Sequence, residues 1–533
     1  IKDRICDVVA DKVMSAEAAA EFVKDGDDLG VSGFTPSGYP KAVPLALAEK
    51  GKKTPFKVNV WTGASVGPEI DQAMVEAGII DRRLPYQTNG TMRKAINAGK
   101  VKYADIHLSH MAQMVRYGYM AGRPTGPDVA IVEVCKINDL GDGKVGLIPT
   151  TSMGNSSSYV AGAKKVIVEV NTTQPVGLEG MHDSYIPLDP PNRQPIPITA
   201  PEDRIGTTYI PCEVEKIVAV VPCDRPDIVR PLGEIDDDAK HMGANLVNFL
   251  KNEVKEGRLP KNLLPLQSGV GSVANAVING LVNSDFEDLT VYTEVIQDGM
   301  FDLIDAGKLR VASGTALTPS PECQKKFYEN VEHYKKYLLL RPQEISNSPE
   351  VARRIGVIAM NTAIEVDIYG NVNSTHVCGT KLMNGVGGSG DFARNGYLTV
   401  FFTNSLAKGG KISSVVPFCS HIDHATLDVD VIVSERGVAD LRGLSPKEKA
   451  PIIIDQIANP KYQPWLYDYF KRACEACGNS QTPHILAEAF DCYKMFAETG
   501  SMEGMVEKVY LGIWLKVNNF KKTLRNPLLS FAK

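Results

Sequence analysis

The sequence has no surplus of positive charge. Lysine and arginine number 58 against 63 aspartates and glutamates, a formal net charge of −5 at pH 7, which leaves no electrostatic case for nucleic acid or an anionic membrane as partner. No run of about 18 apolar residues occurs, so no segment reads as a membrane-spanning helix. The ten cysteines are scattered, which fits reduced thiols better than a disulfide framework. Cys474 and Cys477 form one CxxC, but no second pair stands at zinc-ribbon spacing. G-x-x-x-x-G-K-[ST] is absent, which weighs against a P-loop. No secretory signal is visible. The expectation is a cytoplasmic protein. Because the first residue is Ile, a mitochondrial or hydrogenosomal matrix protein after presequence removal is the alternative.

What is present is ordinary globular material. Of 533 residues, 43% are hydrophobic and 23% charged, enough for roughly two to four domains with large cores. Val129-Ala130-Ile131-Val132-Glu133-Val134 and Lys165-Val166-Ile167-Val168-Glu169-Val170 read as buried strands. Val58-Asn59-Val60-Trp61 and Leu289-Thr290-Val291-Tyr292 read the same way. Residues 1 to 25 have helical composition, and Pro68 to Gly78 has Pro near its start and Gly at its end, as a helix does. Residues 187 to 202 are rich in Pro and read as an extended loop or arm. Strands alternating with helices predict an α/β fold with largely parallel open sheets.

The second half restarts in the idiom of the first. Leu264-Pro265-Leu266-Gln267-Ser268-Gly269-Val270-Gly271 is a strand meeting a glycine loop, then the helical run Ser272 to Leu281. A shift of 208 positions lays Gly63 on Gly271 and Asn97-Ala98-Gly99-Lys100-Val101 on Asp305-Ala306-Gly307-Lys308-Leu309 without a gap. This is a weak internal repeat of two similar α/β halves. The same shift sets Glu294 opposite Tyr86. Only the second half then carries a carboxylate at this strand end, where open α/β sheets place their ligands.

Several short motifs invite chemistry. Asn384-Gly385-Val386-Gly387-Gly388-Ser389-Gly390-Asp391-Phe392 lets backbone N–H groups approach a ligand closely and face developing negative charge. It matches G-x-G-x-x-G, yet after Asp391 the next acid is Asp423, too distant for a dinucleotide site. Gly63-Ala64-Ser65-Val66-Gly67 matches the G-x-S-x-G of a nucleophile elbow, or else is a glycine loop opening a helix. His107/His110 and His421/His424 are His-x-x-His pairs, neither of H-E-x-x-H form, and both lie among strand-like residues. A structural role suits them better than a metal. Val431-Ile432-Val433-Ser434-Glu435-Arg436-Gly437 is a second strand ending in a carboxylate. Two strand-end carboxylates and two glycine loops suggest acyl or phosphoryl chemistry at a cleft.

Longer stretches carry a resemblance. Gln267-Ser268-Gly269-Val270-Gly271-Ser272, Tyr292-Thr293-Glu294-Val295-Ile296-Gln297-Asp298, Gln343-Glu344-Ile345-Ser346-Asn347, Asn384 to Phe392 and Gly437-Val438-Ala439-Asp440-Leu441-Arg442-Gly443 resemble the acetyl-CoA hydrolase/transferase family. These are class I CoA-transferases, and the resemblance is nearest to the succinyl-CoA:acetate type. It runs from Gly33-Phe34-Thr35-Pro36 to about residue 470. One departure is Ser434-Glu435-Arg436-Gly437, where the family usually has Thr-Glu-Gln-Gly.

The resemblance implies two similar open-sheet α/β domains with the active site between them, expected at 1–228 and 229–533. It implies Glu294 as nucleophile, with the Asn347 side chain and the Gly388 backbone N–H as oxyanion donors and Glu435 supporting the site. It assigns CoA contacts to Gly269, Val270, Gly271, Ser272 and Val273, to Asn384 and Gly388, and to Lys408, whose charge suits a phosphate. Ser32, Gly33, Phe34 and Thr35 would face the small acid. Coenzyme A would be substrate and covalent intermediate, with no tightly bound cofactor and no metal. Acyl-CoA and small carboxylic acids would be the partners, and the chain a homodimer. The implied reaction is CoA transfer from an acyl-CoA, such as succinyl-CoA or acetyl-CoA, to acetate or succinate through a glutamyl-CoA thioester. Hydrolysis of acetyl-CoA by the same glutamate is the alternative.

Overall fold

Val129–Gly141 is apolar on both faces through most of its first half, and a strand buried on both faces belongs inside a parallel sheet. In the computed structural model it lies there, between parallel neighbours. The structure describes residues 1–524 except 121, 123 and 125, with side chains to residue 516. The chain packs as two units. The first is Ile1–Asn361 with Lys381–Val400; the second is Thr362–Thr380 with the chain from Phe401 on. The division expected at 228/229 lies inside the first unit.

The first unit holds two open sheets. In one, β1 (Asp28–Val31), β2 (Val58–Trp61), β3 (Ile80–Leu84), β4 (Lys102–Tyr103), β5 (Val129–Gly141), β7 (Lys165–Asn171) and β9 (Ile217–Cys223) run parallel in the order β4-β3-β2-β1-β5-β7-β9. β6 (Lys144–Pro149) and β8 (Ile210–Glu213) extend it antiparallel. The helix Ala42–Lys53 covers one face, its Val43 and Leu47 packed among Leu29, Val31, Val58, Val60 and Ile131. Each such side chain, fully buried, stabilises by about 1.5–3 kcal/mol.

The other sheet follows in sequence. β10 (Leu266–Ser268), β11 (Leu289–Tyr292), β13 (Leu309–Gly314), β15 (Leu338–Leu340) and β16 (Ile358–Thr362) are parallel in the order β15-β13-β11-β10-β16. Beside it, β12 (Val295–Ile296) pairs in parallel with β14 (Ala316–Leu317). Moving the first half by 208 positions sets β2 on β10, β3 on β11, the helix Gly90–Asn97 on the helix Asp298–Asp305, and β4 inside β13. The spatial orders β4-β3-β2 and β13-β11-β10 agree as well. The repeat read from sequence is thus a repeat of structure. In the second unit, Val431–Val433 and Val438–Asp440 form an antiparallel hairpin, followed by the helices Pro446–Gln456 and Gln463–Ala476.

Three local expectations differ from the structure. Residues 1 to 25 contain only the helix Ala16–Ala20, capped by the Ser15 side chain, after two 3-10 turns. Ile5 and Val13 bridge to Ile137 and Val220, so strand pairing overrides helix propensity there. Pro68–Asp71 and Ala73–Glu76 are two short helices broken at Gln72 rather than one. His107 caps, and His110 lies within, the helix Leu108–Arg116, not a strand.

Candidate active site

β11 stops at Tyr292, two residues before Glu294. Beyond it the backbone is held from both sides. The Thr293 N–H donates to the Ser313 carbonyl at 2.9 Å, and the Glu294 carbonyl accepts from the N–H groups of Thr315 and Ala316 at 2.8 and 3.1 Å. The Tyr292 hydroxyl donates to the Ile345 carbonyl, tying this strand end to the turn Gln343–Ser346. The Glu294 side chain is enclosed by protein, with only part of it open to solvent. Burial pushes its carboxyl up to about 7, against the pull of one hydrogen bond from Asn347.

That bond runs from Asn347 Nδ2 to Glu294 Oε2 at 2.9 Å. Asn347 is fully buried, and the Ser346 hydroxyl donates to its Oδ1 at 2.8 Å. Gly388 closes on the same carboxylate. A Cβ on Gly388 would stand 1.7 Å from Glu294 Oε2 and 2.5 Å from Asn347 Nδ2, so only glycine lets this backbone come so near. Glu294, Asn347 and Gly388, far apart in sequence, are therefore in one place.

The glycine loop is clamped by the first half. Arg93 donates to Asn384 Oδ1 at 2.6 Å, the Tyr103 hydroxyl donates to the Asn384 carbonyl at 3.0 Å, and the Val386 N–H donates to Asp105 at 2.7 Å. Asp391, buried at the loop's end, accepts from the Ser109 hydroxyl at 2.6 Å and the Ser109 N–H at 3.0 Å. The Tyr86 ring lies against Gly385 and Gly387. Burial, and then the charge of Glu294, push its phenol up to about 12. Sequence reasoning did not single out Ser109, Asp391, Arg93, Tyr103 or Asp105. Only Asp391 carried a signal, as the acid ending the glycine run.

The remaining expected residues are placed as follows. Gly269 to Val273 turns into the helix Ser272–Val282, with Val270 49% exposed and Gly271 at φ +111°. The Gly269 carbonyl accepts from Gln297 Nε2 at 2.7 Å, which ties this loop to the segment after Glu294. Phe34 is buried with Ala64, Leu108, Val295 and Ala316, and Tyr86 packs at the edge of this apolar cluster. Gly33 (φ +121°) and Thr35 (φ +52°) shape the loop that brings Phe34 there. The Ser32 hydroxyl is committed internally, donating to the Gly38 carbonyl and accepting from the Glu133 N–H, both at 2.9 Å.

Glu435 and Lys408 belong to the second unit. The Glu435 carboxylate accepts from the Ser405 N–H at 2.9 Å and from the Ser405 hydroxyl. Lys408 is exposed, its Nζ 4.7 Å from the centre of the Phe496 ring. Ser65 Oγ is buried and has no hydrogen-bond partner among the described residues, so nothing there activates it as a nucleophile. The His107 and His110 rings meet edge to face at 5.5 Å. Among the described residues no group of three or more His, Cys, Asp or Glu side chains is arranged to hold a metal ion.

This geometry coincides with a sequence match across both halves. The model of the acetyl-CoA hydrolase/transferase N-terminal domain matches residues 8–222, and that of the C-terminal domain matches residues 323–470. The chain belongs to the acetyl-CoA hydrolase/transferase family. Among its relatives, a succinyl-CoA:acetate CoA-transferase of Clostridium kluyveri is 54% identical over 495 residues, covering 92% of this chain and 90% of that one. An acetyl-CoA hydrolase of Schizosaccharomyces pombe is 43% identical, covering 90% and 94%. The structure of RipA from Yersinia pestis shares the fold with a TM-score of 0.67 at 20% identity, covering 89% of this chain and all of that one. Members of the acetyl-CoA hydrolase/transferase family are enzymes, and this chain is one.

Proposed function

We propose that the enzyme moves CoA from an acyl-CoA, such as succinyl-CoA or acetyl-CoA, to a small carboxylate such as acetate or succinate. The observation that carries this reading is the largely enclosed carboxylate of Glu294, held by one amide and met by a glycine backbone. The 54% identity to a protein named for that reaction supports the substrate pair. A carboxyl with a pKa of about 7 is ionised for much of the time at neutral pH, and is more basic, hence more nucleophilic, than an ordinary glutamate.

A Glu294 oxygen attacks the thioester carbon. The C–S bond breaks, CoA leaves as thiolate, and a mixed anhydride remains on Glu294. The thiolate then attacks the Glu294 carbonyl carbon, the anhydride C–O bond breaks, and the first acid leaves as carboxylate. The glutamyl-CoA thioester is resolved by the acceptor acid through the same two steps in reverse. Each step passes an oxyanion, and the Asn347 amide and the Gly388 N–H are its donors. The apolar cluster around Phe34 and Val295 suits a short acyl chain. The exposed loop Gly269 to Val273, opening a helix, suits a CoA phosphate.

A second reading, hydrolysis, is favoured by the relatives named acetyl-CoA hydrolases. The two differ in how well water is kept from the thioester. Enzyme incubated with acyl-CoA alone, denatured and examined by mass spectrometry, should carry CoA on the peptide containing Tyr292 to Asp298, removable by hydroxylamine. Steady hydrolysis of acyl-CoA at a rate comparable to that with acetate would establish the hydrolase instead.

A further inference from the structure

Two carboxylates face one amide. Asn347 Nδ2 lies 2.9 Å from Glu294 Oε2 and, in a longer contact, 3.5 Å from Asp391 Oδ2, so two acids lie within reach of its NH2 group. Its Oδ1 is taken by the Ser346 hydroxyl at 2.8 Å. Asp391 is fixed in turn by Ser109, through the hydroxyl at 2.6 Å and the N–H at 3.0 Å. Ser109 lies in the first turn of the helix Leu108–Arg116, where a carboxylate is favoured by the unpaired N–H groups and the helix dipole. Asp391 is 3% exposed. Burial, aided by the charge of Glu294 and opposed by the hydrogen bonds from Ser109 and Asn347, pushes its carboxyl up to about 7. A buried carboxyl held by neutral groups is costly to keep. Its placement on the proposed oxyanion donor gives it a use.

We propose that Asp391 is a positioning residue for the transfer reaction: it holds the Asn347 amide so that one N–H stays on the reacting carboxyl through every step. This rests on the function proposed above. Once Glu294 is acylated it is no longer a carboxylate, and Asn347 loses its strongest acceptor. The Asp391 oxygen remains, and it disfavours an amide flip, because flipping would set Asn347 Oδ1 against an acceptor oxygen and take it from the Ser346 hydroxyl. The oxyanion of each tetrahedral intermediate then meets a donor already in place. What the role requires is an acceptor oxygen facing Asn347, not the charge. In Asp391→Asn the new amide can keep its oxygen on the Ser109 N–H and Asn347, and turn its NH2 to the Ser109 hydroxyl.

The test is a double-mutant cycle, read as kcat for acyl-CoA to acetate transfer. Asp391→Ala should lower kcat by about 10²–10³, close to Asn347→Ala, with KM for acyl-CoA changed less than about threefold. In the Asn347→Ala background the same substitution should cost less than about threefold, since its effect runs through Asn347. Asp391→Asn should be at least tenfold faster than Asp391→Ala. Equal losses from Asp391→Ala in both backgrounds would make Asp391 merely structural and overturn the proposal, as would an Asp391→Asn no better than the alanine. If Asp391→Ala does not fold, Ser109→Ala replaces it, with a several-fold loss expected in wild type and none in Asn347→Ala; additivity there overturns it equally. The parent reading is checked separately. If wild type transfers and Glu294→Ala does not, an additive cycle sinks this inference alone. If Glu294→Ala still transfers, the proposed function fails and this inference with it.

Discussion

Gly388→Ala places one methyl group where the Glu294 carboxylate stands. Its Cβ would lie 1.7 Å from Glu294 Oε2, 2.6 Å from Glu294 Cδ and 2.5 Å from Asn347 Nδ2, whereas ordinary contact begins at 3.4 Å. The backbone at Gly388 has φ −90° and ψ −2°, which an alanine adopts without strain, so the damage is confined to the site. The loop cannot back away cheaply, because Arg93, Tyr103 and Asp105 hold Asn384 and Val386 at 2.6 to 3.0 Å. The carboxylate must therefore move by well over an ångström, and the amide beside it must move too. Misplacing a reacting group by about 1 Å costs on the order of 10² in rate, so kcat should fall by ~10²–10³. The assay is acyl-CoA to acetate transfer followed at the thioester, with thermal unfolding as the control for folding. Mass spectrometry should show the CoA adduct forming more slowly by the same factor. A variant that folds as wild type and keeps kcat within about tenfold would refute the close approach on which the active site is built.

Other outcomes follow from the same geometry. Asn347→Ala should lower kcat by about 10²–10³ with a modest change in KM; a large rise in KM at unchanged kcat would make Asn347 a binding residue instead. Burial raises Glu294 from 4.5 to about 7, so the carboxylate proposed as nucleophile is lost as pH falls through 7. The acid limb of kcat/KM should then have its midpoint near 7, moving upward in Asn347→Ala because that hydrogen bond lowers the pKa; a limb near 4.5 would contradict the burial argument. Lys41 lies fully buried, with Nζ 2.5 Å from Glu133 and 2.8 Å from Asp227. Lys41→Ala takes the counter-charge from both buried acids and should cost about 3–5 kcal/mol in denaturant unfolding, and an unchanged midpoint would show the ion pairs to be dispensable.

The sheets were legible because buried parallel strands announce themselves by composition: Val129 to Val134 and Lys165 to Val170 stand where the apolar runs placed them. The 208-position shift was legible too, and it superposes helices and strands that share few residues. Glu294 could be located at a strand end by pattern, and by resemblance as a nucleophile. Its environment could not. Ser109 and Asp391 are 282 positions apart, Arg93 and Asn384 291, and no local pattern marks either pair. Whether Asp391 solvates, caps or clamps depends on which helix start comes to meet it. The opening segment shows the converse: its alanines favour helix locally, yet Ile5 and Val13 are drawn into bridges with distant strands. The apolar residues around His107 and His110 suit strand or helix alike, and only the helix that begins at Leu108 decides.

For the transfer proposed through Glu294, the repeat gives a physical reason for a single nucleophile. Tyr86 and Glu294 occupy equivalent ends of β3 and β11, and the fold brings both to the same glycine loop, with Tyr86 against Gly385 and Gly387 and Glu294 against Gly388. Were both positions glutamates, a third carboxylate would join Glu294 and Asp391 in one enclosed site, and like charges so placed cannot all ionise easily. More of them would stay protonated, or the group would trap a cation, and neither favours a reactive carboxylate at Glu294. A tyrosine avoids this. With its phenol pushed to about 12 it is neutral throughout the working range, and its ring contributes apolar wall beside Phe34 and Val295. The asymmetry between the halves thus separates two tasks that one residue type could not perform at both ends: charge on one side, and on the other a dry surface that keeps that charge reactive.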